Sequence, residues 1–368
     1  MLVKIREVNT LADIKSWHQF SRDLYANDAY YISHIDQDID SIFDVNENSE
    51  FKSGEAKRWV ALSDNKLVGR IAAFYTHKSQ HAGLGFFDCI DNQEIANHLF
   101  DTGIKWIEKN GFDRIEAPVN FGERDKYWGL LVSGFNSPSY QENYNFPYYQ
   151  RLFENYGFEV CIEQTTSEGR PDLIDLSKYQ RFAERISKNG GYRIEHYSHQ
   201  ESVRFIKDFV TIYNDAWKQH AHYVPFTVDR VRKLFAEMKP IIREEFLVFM
   251  YDKDKPIGFY LSIIELNQIF KHINGNMNWW GKLKFYYYLK TQKITKIRGI
   301  IFGVTTEYQN KGLYALMIMD VYKTMLKNPD IESTELAWIG DFNPKMHALF
   351  KSLNAQPSKV HFTYEKLL

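Results

Sequence analysis

The sequence predicts an α/β chain of the α+β kind: two similar domains in tandem, each a mixed, mostly antiparallel sheet flanked by helices. Three observations lead there. At 368 residues the chain is long enough for two domains of ordinary size. One order of elements occurs twice, strand, helix, then hairpin, with Ile5 to Gly69 and Ile194 to Gly258 each 64 positions apart. Both copies also close alike, on a short helix that ends at Gly157 or Asn354, residues suited to a left-handed helix end, before a final strand.

The elements follow in order. Val3-Lys4-Ile5-Arg6-Glu7-Val8 alternates as a strand does, and Ile14, Trp17, Phe20, Ser21 and Leu24 recur at helical spacing. Trp59–Leu62 and Leu67–Ala72 flank the polar turn Ser63–Lys66, a hairpin signature. In the second copy Arg193–Glu195 reads as the strand, Val203, Ile206, Phe209, Val210 and Tyr213 as the helix face, and Phe246–Met250 with Pro256–Leu261 as the hairpin. Between the copies, Tyr179, Phe182 and Ile186 predict a linking helix, and Gly190-Gly191 a hinge. The division expected is residues 1–168, a link over 169–191, and 192–368, each half with its own sheet.

Composition narrows the function. Apolar residues make up 44% and charged residues 25%, as in globular proteins, and the net charge of −1 offers no overall field for nucleic acid or an anionic membrane. No apolar run reaches the ~20 residues of a membrane span, and the start lacks the apolar core of a signal peptide, so the expected location is cytoplasmic. Two cysteines, Cys89 and Cys161, predict neither a disulfide framework nor a cysteine metal site; they are expected to be buried and inert.

The stretch from Ile300 to Met317 carries the chemistry. An apolar strand enters the polar loop Thr305–Lys311, and Gly312 opens a helix with Leu316, Met319, Lys323 and Leu326 at helical spacing. Backbone N–H groups at a helix start converge with the positive end of the helix dipole, which suits a pyrophosphate. Gly312 lets the backbone come close. Here Gln309-Asn310-Lys311-Gly312-Leu313-Tyr314 resembles the phosphate loop of the GNAT acyltransferase superfamily, Gln/Arg-x-x-Gly-x-Gly/Ala, with Tyr314 in place of the second small residue. The strand Glu335–Ile339, then Asn343, a helix through Met346, Leu349 and Phe350, and the strand Lys359–Tyr364 complete the order of elements that the resemblance implies.

The resemblance implies an acyl-CoA co-substrate, acetyl-CoA first, held by Phe302, Gly303, Val304, Gln309, Asn310, Lys311, Gly312, Leu313, Tyr314 and Asn343. The pantetheine arm would run between two strands that splay apart. The first half has no glycine at the matching place, and Asp91 and Glu94 would repel a pyrophosphate, so it resembles a GNAT domain that has lost the cofactor. Its stretches Gly85–Asp91, Pro118–Phe121 and Trp128–Phe135 resemble tandem GNAT-like proteins of bacteria.

For catalysis, the family's proton donor is often a tyrosine seven residues after the asparagine; here that position is Phe350. Glu265 is the first choice of general base, with Asn267 and Tyr308 beside it as catalytic candidates and Tyr260 and Tyr314 close to the cofactor. A solvated carboxylate is the plainer reading of Glu265. His220 and His222 lack companions for a metal set, so no metal is expected. The loop around Trp217, Tyr223 and Phe226 rims an acceptor pocket or simply packs. Asn278–Tyr288, aromatic and basic, reads as an inserted helix packed on the sheet rather than a nucleobase or membrane contact. The expected activity is transfer of an acyl group to the amine of a small molecule, by a monomer or homodimer without nucleic-acid or membrane partners. The alternatives are an acyl-CoA-binding protein without turnover and a Fem-type aminoacyl transferase.

Overall fold

In the computed structural model the described residues are 2–122, 124, 126–188, 190–218 and 224–368. The first half runs β1 Val3–Glu7, α1 Leu11–Leu24, α2 Asp36–Ile42, β2 Gly54–Ser63, β3 Lys66–Thr76, β4 His81–Cys89, α3 Gln93–Lys109, β5 Arg114–Ala117, β6 Leu130–Ser133, α4 Tyr148–Tyr156 and β7 Glu159–Gly169. The link is α5, Ser177–Lys188. The second half runs β8 Tyr192–His196, α6 Ser202–Trp217, α7 Val228–Met238, β9 Leu247–Asp252, β10 Lys255–Ile264, α8 Asn267–Phe270, α9 Trp279–Thr291, β11 Lys296–Val304, α10 Tyr314–Lys327, β12 Ser333–Gly340, α11 Pro344–Ser352 and β13 Gln356–Leu367. The repeated order read from the sequence is therefore present, and Gly157 and Asn354 both have positive φ, 88° and 55°.

The two halves do not carry separate sheets. The strands form one sheet in the order β1-β2-β3-β4-β5-β13-β7-β12-β11-β10-β9-β8, with β6 also paired to β13. The reason lies in the last strand of each half. β7 leaves its own half to pair antiparallel with β12, Thr334 opposite Gly169. β13 returns to pair antiparallel with β5, Tyr364 opposite Ala117. The two exchanged strands then pair with each other, from Gln356 opposite Glu168 to Glu365 opposite Glu159. Hydrophobic alternation specifies that a strand has a buried face; it does not specify which neighbour it joins.

Apolar faces build the cores on either side of the sheet. In the first half α3 lays Ile95, Leu99, Phe100 and Ile107 on Ile71, Ala73 and Leu84 of the strands. In the second half α6 covers one face through Phe205, Phe209 and Ile212 against Phe249 and Phe259. α10 covers the other through Met317, Val321 and Met325 against Val248, Ile257 and Ile297. α5 packs Tyr179 on α10 and α11 beside Ala315 and Leu353, so the link is an ordered helix, as its spacing predicts. Cys89 is buried and Cys161 half-buried, both free thiols.

Candidate functional site

β11 and β12 run parallel, but only from Lys296 opposite Ser333 to Gly299 opposite Leu336. Beyond that point Ile300–Val304 and Ala337–Gly340 diverge, and the backbone groups facing the gap have lost their ladder partners. A cavity of about 740 Å³ opens there, within the ~300–1,000 Å³ usual for ligand pockets. Its outer mouth meets Tyr308, Gln309, Asn310, Leu313 and Tyr314; its walls include Phe302, Gly303, Val304, Trp338, Asn343 and Phe350. Its lining follows α10 from Tyr314 past Met317 and Val321 to Met325, and also includes Leu176 and Leu353. Tyr314 to Met325 is eleven positions, about 16 Å of helix at ~1.5 Å per residue.

The loop at the mouth presents backbone donors to the outside. Asn310 and Gly312 have positive φ, 66° and 72°, which turns successive N–H groups outward. Among the described residues the N–H groups of Lys311, Gly312 and Leu313 donate to no backbone carbonyl. α10 has no side-chain cap and no acidic residue in its first turn, so the positive end of its dipole stays open. A Cβ on Gly312 would meet no protein atom within 4 Å. Asp215 at the end of α6 steadies the loop by accepting from the Thr306 N–H at 2.5 Å.

The matching place in the first half is closed by its own residues. β4 and β5 share only Gly83 opposite Glu116, but the chain beyond β5 does not leave: Val119 N donates to Leu84 O at 2.8 Å. A Cβ at Gly85 would overlap the Val119 carbonyl, so no arm fits between these strands. The start of α3 is capped by Asn92, which accepts from Ile95 N at 3.1 Å, and Asp91 is paired with Arg151. The cavity beside Arg70 and Asp88 measures about 30 Å³.

The catalytic candidates divide. Tyr308 lines the mouth, but its hydroxyl donates to Asp252 at 2.7 Å; that bond, with burial and the nearby carboxylates, pushes the phenol up to about 12. Glu265 and Asn267 lie outside the cavity lining. Glu265 is buried, not solvated: one oxygen accepts from Tyr140 N and Asn267 N at 2.8 and 3.0 Å, and the other from Gln268 N at 3.2 Å. Burial raises its pKa, with the Glu335 charge adding to the effect. Asn267 donates to Pro138 O at 2.8 Å. Both residues hold segment 138–142 of the first half against the second, and Ser139 joins them by donating to Glu335 at 2.5 Å.

Of the cofactor candidates, Lys311 and Gly312 lie beside the lining rather than in it, with the Lys311 ammonium 4.3 Å from the Tyr308 ring centre. Asn343 caps α11, accepting from Met346 N at 3.3 Å. Phe350 lines the cavity. Trp217 lines the cavity beside Tyr213, while Phe226 packs behind Tyr213, 4.5 Å between ring centres. His220, His222 and Tyr223 fall outside the described residues.

Tyr260 lies at the point of divergence. A Cβ on Gly299, the last paired residue of β11, would collide with its hydroxyl. Burial raises this phenol above its ordinary value, partly offset by the Ser262 and Thr334 hydroxyls beside it. The strand alternation of Gly258-Phe259-Tyr260 gives its face; its nearness to Gly299 depends on the pairing of β10 with β11, which only the fold supplies.

Comparison with known proteins fixes the class of fold. No family model matches the sequence. A tandem GNAT protein from the clavulanic acid biosynthesis pathway superposes over 100% of this chain and 98% of its own, with a TM-score of 0.57 at 9% identity. A GCN5-related N-acetyltransferase from Sphaerobacter thermophilus does so over 99% and 95%, with a TM-score of 0.51 at 9% identity. The chain thus has the tandem GNAT fold. Among curated proteins it is similar along nearly its whole length to Protein YghO of Escherichia coli (strain K12), 23% identical over 96% of this chain and 93% of that one. It is likewise similar to the bacterial ceramide synthase of Caulobacter vibrioides (strain NA1000 / CB15N), 21% identical over 98% and 96%.

Proposed function

We propose that the chain moves an acyl group from an acyl-CoA to the amine of a small acceptor, with residues 192–368 holding the co-substrate and residues 1–168 serving as scaffold across the link at 169–191. The observation that carries this reading is the divergence of β11 from β12 over an apolar cavity whose mouth is the open loop Gln309–Leu313. An anionic head at the loop and an extended arm between the strands fit that shape. Coenzyme A stabilises a protein that binds it only when folded, so a thermal-shift series with coenzyme A, acetyl-CoA and longer acyl-CoAs is the direct test. No shift with any of them would sink the reading.

The inner end supports an acyl chain longer than acetyl, the group the sequence reading put first. Met317, Val321 and Met325 line a continuation of the cavity along α10 that an acetyl group leaves uncovered. The similarity to a ceramide synthase points the same way. Stabilisation should therefore grow with chain length, and Val321→Phe should shorten the preferred chain. A melting point raised equally by acetyl-CoA and palmitoyl-CoA would count against it.

Acyl transfer from a thioester needs a proton for the leaving thiolate. Phe350 cannot supply one. Tyr260, protonated at neutral pH and in the cavity wall where the strands part, is the group we assign to this role. Tyr260→Phe keeps the ring and removes the hydroxyl, so kcat should fall about a hundredfold with acyl-CoA affinity nearly unchanged. A variant as fast as the parent would remove Tyr260 from the mechanism. If acyl-CoA binds but no amine releases thiol, the role is acyl-CoA binding without turnover, which Phe350 favours.

A further inference from the structure

Helix α9 has two apolar faces, and the fold uses one of them. Gly281 and Phe285 are buried, and Tyr288 and Leu289 pack with them against Phe270, Ile269 and Ile273. The Phe285 and Phe270 rings are 5.7 Å apart, and Tyr288 stacks on His272 at 3.9 Å, so the helix is fixed to the body. The opposite face carries Trp279, Trp280, Leu283, Tyr286 and Tyr287, exposed at 66%, 69%, 44%, 51% and 62%. At 3.6 residues per turn these five side chains fall within roughly 120° of the helix, a stripe as wide as one that ordinarily faces a core. Contiguous apolar surface of this kind on a folded chain marks an interaction site.

Charge says what covers it. Lys282 borders the stripe on one side, Lys284 on the other, and Lys290 lies within it; all three are exposed. Between Glu265 and Glu307 the sequence contains no acidic residue. Lys293 and Lys296 in that span are paired with acids from elsewhere, Glu332 and Glu168. Lys271, Lys282, Lys284 and Lys290 make no ion pair among the described residues. A chain with net charge −1 thus concentrates unpaired cations around one aromatic stripe.

We propose that α9 is a membrane-docking helix that lies in the surface of an anionic lipid bilayer. Tryptophan and tyrosine settle at the level of the headgroups, Leu283 reaches the acyl boundary, and the bordering lysines meet lipid phosphates. No described helix is long and apolar enough to cross a membrane, so the contact is in the plane of the surface. A second copy of the chain fits less well, because a two-fold contact through this stripe brings the bordering lysines of both copies together. This departs from the expectation that the chain has no membrane partner, and it is independent of the acyltransferase reading.

The test is flotation of the full chain with vesicles of phosphatidylcholine alone and of phosphatidylcholine with phosphatidylglycerol, followed by tryptophan fluorescence. The expected result is binding to the anionic vesicles, a blue-shifted emission, and release by salt. Trp279→Ala/Trp280→Ala and Lys282→Glu/Lys284→Glu should each lower the partition coefficient about tenfold or more, since one lysine near such a surface is worth about fivefold. The replaced side chains are exposed, so the melting temperature should hold, and it is measured alongside. The proposal is overturned by parent-like vesicle binding of both variants, by no vesicle binding at all, by preferential binding of a single-stranded oligonucleotide, or by a dimer that the tryptophan variant dissociates.

Discussion

Gly312→Val is expected to weaken coenzyme A binding by at least about a hundredfold without unfolding the protein. Gly312 has a φ of 72°, and left-handed backbone costs a residue with a Cβ roughly 1–2 kcal/mol, more when the Cβ is branched. The new side chain would meet no protein atom, so the loss does not come from overpacking. It comes from two sources that act on the ligand. The branched Cβ stands where a phosphate must approach, and relief of backbone strain turns the N–H groups of Lys311, Gly312 and Leu313 away from a common centre. Hydrogen bonds to a charged group are worth about 1.5–3 kcal/mol each, so losing two accounts for the hundredfold. Isothermal titration calorimetry measures it, and Gly312→Ala should fall between parent and valine. Equal affinities across the three proteins would end the phosphate-loop assignment.

That loop was legible in the sequence because its signals are local. A strand, Gln309, Gly312 and a helical period lie within twenty residues, and each fixes a nearby dihedral or a helix start. The tandem order was legible for the same reason, as was the departure of the first half from the second at the matching place, although its physical form was not. Asp91 and Glu94 are visible as charges, but Asp91 is neutralised by Arg151, and what closes that half is the Val119 carbonyl lying against Gly85. Such a contact depends on where residues 118–119 run after β5.

Long-range pairing hid the rest. β7 and β13 read as ordinary closing strands, and nothing in Glu159–Gly169 or Gln356–Leu367 announces that each completes the other half's sheet. Glu265 looked like a free strand-end carboxylate because its partners, Tyr140 N and Gln268 N, are backbone groups, one of them 125 positions away. The exchange has a consequence for dissection. Residues 192–368 alone would leave β13 without β5 and β7, and β12 without its antiparallel neighbour. The isolated half should therefore be unstable or associate through those edges, which size-exclusion chromatography would reveal.

Where the halves meet, Lys359 of β13 sets the second large expectation: Lys359→Met should destabilise the protein by about 3–5 kcal/mol, the usual range when one partner of a buried ion pair is removed. Its side chain is 4% exposed and contacts Glu142 at 2.5 Å and Glu335 at 3.4 Å, themselves 10% and 2% exposed. Arg298 adds a second cation, 3.3 Å from Glu335. Without Lys359, Glu142 loses its ion pair and stays buried. Burial alone would raise the Glu142 pKa, but the Lys359 ammonium, with His361 and Arg298 behind it, holds the group down to about 2. A folded pKa below the unfolded value of 4.5 means that this contribution is complete above about pH 4.5 and lost as pH falls toward 2. Burial alone would lower the Lys359 pKa, but the same two carboxylates outweigh it and raise the group, so its share is present below the ordinary lysine value of 10.5 and lost only above that range. Between those limits the full penalty should appear in urea unfolding at pH 7. At pH 3 the gap between parent and variant should narrow, because the parent is then losing the contribution that the variant never had. The double variant Lys359→Met/Glu142→Gln, which removes both charges, should recover part of the loss at pH 7. A single variant as stable as the parent at pH 7, or a gap that widens on acidification, would mean that the polar seam between the halves does not hold them together electrostatically.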